Sequence, residues 1–125
     1  MKITGSLLYT NDHEWIKIEE NQGIVGITDF AQRELGDIVF IEFPDKGDLF
    51  QKGDTIGTIE AVKTVADLYA PVSGKIFELN LELDDNVELI NSDPFGKGWL
   101  IKMELSNPDE TSDLLSAEDY GKLIG

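Results

Sequence analysis

Apolar and polar residues alternate in short runs along most of the chain. In "EWIKIE" (Glu14–Glu19), Ile16 and Ile18 are separated and followed by the charged Lys17 and Glu19. That two-residue period belongs to a half-buried strand. Comparable runs, punctuated by Gly, Asn, Asp and Pro, predict strands at 6–9, 14–18, 23–27, 38–42, 55–60, 65–70, 74–79 and 98–105. "ENQG" at 20–23 supplies turn chemistry between two of them. So many short strands at close spacing predict a mainly β chain, folded as a sandwich or barrel.

Two segments depart from this pattern. "TDFAQRELGD" at 28–37 reads as a short helix, with Thr28 or Asp29 to cap it, Gln32 three residues after Asp29, and Gly36 to end it. The tail, about 106–125, also reads as helical. Pro108 suits a first helical position, and Asp109 and Glu110 place negative charge in the first turn, where the helix dipole favours it. Ser116 with Asp119 forms a second capping signal before Tyr120 and Leu123. Both helical segments are expected on the outside of a β core, covering sheet edges. A short echo runs through the middle of the chain. "KGD" occurs at 46–48 and again at 52–54, and "DDNVELI" at 84–90 resembles "KGDTIGTI" at 52–59. Either related turn-and-strand units with approximate two-fold symmetry or chance likeness between short acidic turns accounts for it.

Length and composition narrow the function. The 125 residues suit one domain, 1–125, with no linker or low-complexity tract. Ten Lys and Arg stand against twenty-five Asp and Glu, a formal charge of −15. Such a surface repels nucleic-acid phosphates and anionic lipids, so neither is an expected partner. It attracts basic patches on other proteins, or simply keeps the chain in solution. No apolar run approaches the roughly 20 residues of a membrane span. "MKITGSLLYT" lacks a signal-peptide core, and Met1 reads as an initiator, so a cytoplasmic location is expected, with a mitochondrial one if a presequence has been removed. The absence of Cys excludes disulfides and thiolate chemistry. The single histidine, His13, lacks a nucleophile-elbow serine to work with, and the acids do not follow the calcium-loop spacing.

Against this acidity one lysine stands out. In "EAVKT" (60–64), Lys63 falls between two predicted strands, in a connection that would turn its ammonium outward and open it to a modifying enzyme. Around it the chain reads "YTNDHEW", "GITDFAQRELGDIVFIEFP", "KGDTIGTIEAVKTVADLYAPVSG" and "LINSDPFGKGWLIKM", followed by the acidic helical tail. In that order and spacing, the chain resembles the H-protein family of the glycine cleavage system, lipoyl carriers of the biotinyl/lipoyl-domain fold. The resemblance implies a lipoyl-type β-sandwich, a barrel-sandwich hybrid, with short helices that include a C-terminal one. It further implies lipoate in amide linkage on Lys63, and a carrier with no catalysis of its own. The carrier would take the aminomethyl group of glycine from the pyridoxal-phosphate-dependent decarboxylase (P protein) to the aminomethyltransferase (T protein). Dihydrolipoyl dehydrogenase (L protein) would then reoxidise it.

The resemblance also assigns roles to neighbours of Lys63. Glu60 and Val62 are the expected recognition residues for the lipoylating enzyme. Glu14, Asp67 and Asp12 are the expected contacts of the arm, because a cationic amine held in a cleft needs an anionic partner. His13 would orient its segment through a hydrogen bond or pack beside Trp15. Glu34 stands where many relatives carry histidine, which leaves any contact made there in doubt. Val62 and Thr64, in place of methionines, speak against a biotin carrier. No D-S-L setting for a phosphopantetheine is present, and no linker of the kind that joins lipoyl domains of 2-oxoacid dehydrogenases. An H-like carrier in lipoyl relay or sulfur metabolism, and an unmodified acidic β-rich interaction module, remain alternatives.

Overall fold

Nine short strands form two antiparallel sheets in a computed structural model that describes residues 3–125; Met1, with the initiator reading placed on it, and Lys2 lie outside the described residues. The strands are β1 (Leu8–Tyr9), β2 (Glu14–Glu19), β3 (Gln22–Ile27), β4 (Ile38–Glu42), β5 (Leu49–Phe50), β6 (Thr55–Ala61), β7 (Val65–Tyr69), β8 (Gly74–Leu79) and β9 (Ile101–Leu105). One sheet runs β1-β2-β3-β9-β8-β5 and the other β4-β6-β7. Their inner faces share one core. Ile16, Val25, Ile76, Ile101 and Met103 from the first sheet meet Ile41, Ile56, Ile59 and Leu68 from the second. This is the sandwich that the two-residue period predicts.

Local chemistry explains the boundaries. β2 and β3 pair from Glu14↔Ile27 to Glu19↔Gln22, which leaves Glu20 and Asn21 as a two-residue turn. Glu20 takes φ 55, as such a turn requires. Helix α1 (Asp29–Leu35) is capped by Thr28, whose hydroxyl accepts from the Ala31 N–H. Gly36, at φ 77, ends it. The tail divides in two. Pro108–Asp113 forms a 3-10 helix that begins at the proline, and α3 (Ala117–Ile124) is capped by Ser116 accepting from the Asp119 N–H. Tyr120 of α3 stacks on Tyr9 of β1, with ring centroids 4.6 Å apart. Leu115 and Tyr9 exchange backbone hydrogen bonds at 2.8 Å, covering the free edge of β1. Glu110 fixes the rest of the tail by accepting from the Ser73 N–H and hydroxyl at 2.7 and 2.9 Å.

Several expectations need correction. The first strand spans Leu8–Tyr9 where 6–9 was expected, and the last begins at Ile101 and not at 98. Gly98 belongs instead to a tight turn, where a Cβ would lie 2.5 Å from the Leu89 carbonyl. β5 is only two residues long, too short to show a period. The echo holds for the two "KGD" turns alone. Gly47 and Gly53 take φ 94 and 91, and each donates to a carbonyl of a distant segment, Ile76 at 2.7 Å and Ala70 at 2.9 Å. Asp48 and Asp54 accept from the N–H groups of Asp45 and Gln51 in the same way. The 84–90 stretch is no turn-and-strand unit. It runs from the end of a 3-10 helix (Leu81–Asp84) into α2 (Leu89–Ser92).

Candidate functional site

β6 and β7 form a tight hairpin whose tip is Val62, Lys63 and Thr64. The Ala61 N–H donates to the Thr64 carbonyl at 2.8 Å and closes the turn. The Val62 N–H donates to the Asp37 carbonyl at 3.0 Å, which ties the tip to the end of α1. That end is itself clamped. The Asn91 amide donates to Gly36 O at 2.8 Å and to Gln32 Oε1 at 3.0 Å, and its oxygen accepts from the Ile38 N–H at 3.0 Å. The backbone around Lys63 is therefore held by bonds at Ala61, Val62 and Thr64 while the side chain is exposed. Among the described residues, no hydrogen bond or ion pair engages its ammonium. Glu60 lies two residues inside the tip, opposite Val65.

One hollow adjoins this tip, and a second lies farther down the hairpin, against α1. The larger, about 600 Å³, is lined by residues 33–37 of the α1 end and by Val62, Lys63 and Thr64. The smaller, about 160 Å³, is a groove floored by Ile27, Ile59 and Leu68 and walled by Asp12, His13, Glu14, Glu34 and Asp67. Glu34 and Leu35 line both. The fold thus brings the expected acids Asp12, Glu14 and Asp67 to one groove, although Asp67 comes from a distant part of the chain. Glu34 joins them.

Glu14 differs from the other acids. It is 2% exposed, on the core-facing side of β2 with Ile16. Its carboxyl accepts from the Thr10 hydroxyl and from the Tyr69 N–H, both at 2.9 Å. The second contact covers a backbone group on the outer edge of β7. Burial pushes its pKa up to about 7 against the pull of the two hydrogen bonds, and nearby Asp12 adds to the rise. His13 is held in the left-handed region, at φ 67. Its Nδ1 lies 2.9 Å from the Tyr120 hydroxyl, which in turn lies 2.7 Å from the Thr28 hydroxyl. The ring packs on Phe30, centroids 4.6 Å apart, and not on Trp15. Burial lowers the His13 pKa, opposed by Asp12 and Glu34. The link from the groove wall to α3 was not visible in the sequence, because it joins residues more than a hundred positions apart.

The family model for the glycine cleavage H-protein matches residues 7–125. The chain belongs to that family. It is 58% identical over 118 residues to a glycine cleavage system H protein of Carboxydothermus hydrogenoformans, covering 94% of this chain and 91% of that one. A glycine cleavage system H protein of Staphylococcus epidermidis is 50% identical over 125 residues, with 100% and 99% covered. The crystal structure of a glycine cleavage system H protein from Mycobacterium marinum superposes with a TM-score of 0.92 at 39% identity, over 98% of this chain and 99% of that one. The two-sheet sandwich with its C-terminal helix is thus the H-protein fold. No helix among the described residues is long and apolar enough to cross a membrane.

Proposed function

We infer that this chain works as the lipoyl carrier of glycine cleavage, with lipoate in amide linkage on Nζ of Lys63. The observation that carries the reading is the amine itself: exposed, unpaired among the described residues, and mounted on a hairpin tied through the Val62 N–H to Asp37, beside the α1 end that Asn91 clamps. Lipoate supplies a dithiolane that accepts the aminomethyl group of glycine and passes it on. The protein supplies the rest. A stiff tip fixes the root of a flexible tether, which raises the effective concentration of its end at each partner. The groove farther down the hairpin offers an apolar floor and an acidic wall. Asp12 and Asp67, exposed at the groove, attract a cationic cargo, and Glu14 and Glu34 extend the same field along it. The partners are the P, T and L proteins, with a lipoylating enzyme that reads Glu60 and Val62, and the setting is the bacterial cytoplasm. The protein carries and does not catalyse.

Incubation with lipoate, ATP and a lipoate ligase, followed by intact mass and peptide mapping, tests the attachment. One lipoyl increment on Lys63, absent from Lys63→Arg, is the expected outcome. An unchanged mass, or an increment on another lysine, overturns it.

A further inference from the structure

The outer face of the β4-β6-β7 sheet carries an apolar surface that the carrier role does not explain. Seven large apolar side chains are exposed among the described residues: Val39, Phe40, Leu49, Val62, Val65, Leu81 and Leu123. Four of them, Val39, Phe40, Val62 and Val65, lie on this one small sheet or its hairpin tip. Strand register shows how they meet. Phe40 of β4 stands opposite Glu60 of β6, and Glu60 stands opposite Val65 of β7. All three are exposed, and they form one outward row across the sheet, with Phe40 52% and Val65 59% accessible. Val62, 68% accessible, continues that face toward Lys63.

The sequence pattern alone would bury β4. "IVFI" is a continuous apolar run, of the kind found in strands covered on both faces. The pairing register shifts between Ile38 and Phe40, a bulge that leaves both Val39 and Phe40 outside. Bulges recur beside functional sites, where they re-aim side chains. An exposed aromatic next to β-branched residues on an edge strand invites association unless it has a partner.

We propose that Phe40, Val62 and Val65, with Glu60 among them, are the seat for the enzyme that acylates Lys63, a protein whose docking face is apolar with a basic rim. This rests on the carrier reading above. Reach selects the occupant. A bare lysine extends only its own four-carbon stem, so an enzyme that joins a group to Nζ must press against the tip and the row behind it. Enzymes that act on the finished arm meet it farther out and need not cover that row. Charge selects the rim. The chain carries −15, and acids (Asp37, Glu42, Glu60 and Asp67) outnumber the cations around the seat, Arg33 and the target Lys63 itself. In the reaction Nζ, having given its proton to a base or solvent, attacks the carbonyl carbon of a lipoyl adenylate. The amide C–N bond forms, the carbonyl–phosphate bond breaks, and AMP leaves with the electron pair.

Steady-state lipoylation by a lipoate ligase, supplied with lipoate and ATP, tests the seat. Phe40→Ser, Val65→Thr and Glu60→Lys are compared with wild type and with Leu49→Ser, which removes an exposed apolar side chain from the other sheet. The expected result is a KM for the carrier raised on the order of tenfold in the seat variants. Their kcat should stay within about twofold of wild type, and Leu49→Ser should match wild type. Once fully lipoylated, the seat variants should serve glycine decarboxylase as wild type does. Val65→Thr keeps size and branching, so it reports even if Phe40→Ser folds poorly. Modification of wild type with unaltered KM in Val65→Thr and Glu60→Lys overturns the seat and leaves the carrier reading intact. An equal loss in Leu49→Ser, or a loss confined to the decarboxylase step, also overturns it. Failure to modify wild type at Lys63 overturns both.

Discussion

Glu14 shows how much one residue takes from the fold. The alternation of "EWIKIE" already sets Glu14 on the same face as Ile16, so its inward direction is legible in the sequence. Its two partners are not, because Tyr69 lies fifty-five positions away. Those partners define its linkage to stability. The folded pKa, about 7, stands above the ordinary glutamate value of 4.5. Below pH 4.5 both states hold the proton and Glu14 costs nothing. As pH rises toward 7 the unfolded chain ionises first, so stability falls across that window and levels off above it. The loss approaches 3 kcal/mol, as an order of magnitude. Chemical denaturation from pH 4 to 8 should therefore show wild type losing ground to Glu14→Gln as pH rises. A parallel pH dependence in the two proteins would remove the buried ionisation. Lys63 is the opposite case. Its place in a strand connection is legible, and Lys63→Arg should leave the thermal midpoint within about 2 °C of wild type because nothing in the fold depends on its ammonium.

Strands with clear alternation, such as β2 and β8, follow from the sequence because burial on one face imposes the period. The capped helices follow too, since Thr28, Pro108 and Ser116 satisfy specific backbone groups. The 81–92 stretch does not. Its turns are set by Asn80, whose amide donates to Lys97 O and Trp99 O, and by Asn91, whose partners lie on α1 and β4. Tertiary partners of this kind leave no local trace. The joint between β4 and β6 makes a sharp prediction. A Cβ on Gly57 would lie 2.4 Å from the Glu42 carbonyl oxygen, beside a register shift in β6. Gly57→Ala should cost about 1–3 kcal/mol by overpacking, read from urea midpoints; a neutral effect would mean the strands part without strain. α3 offers a second. Tyr120 is fully buried, stacked on Tyr9 and hydrogen-bonded to Thr28 and His13. Tyr120→Ala should cost about 3–5 kcal/mol. Tyr120→Phe, which keeps the stack, should cost about 1 kcal/mol and move the His13 imidazole resonances.

The whole molecule is an acidic shell around an apolar sandwich. The ion pairs Lys17–Glu19, Lys52–Asp113, Lys102–Glu78 and Lys122–Glu118 are all solvent-accessible at 3.1–3.6 Å and contribute little. Net repulsion at −15 outweighs them, so raising salt from about 0.05 M to about 0.5 M should raise the thermal midpoint. A midpoint that falls would mean that local pairs dominate. At this scale the β class was legible from strand spacing, and the family from the order of its short motifs. The groove was not, since four separate segments meet to build it. What unites the parts is one amine on a fixed tip, with an acidic groove farther down the hairpin. Release of labelled CO2 from glycine by the P protein, with this chain as carrier, measures that most directly. Lipoylated wild type should support release, while Lys63→Arg treated identically and unlipoylated wild type should give only background. Equal release with Lys63→Arg would contradict the account.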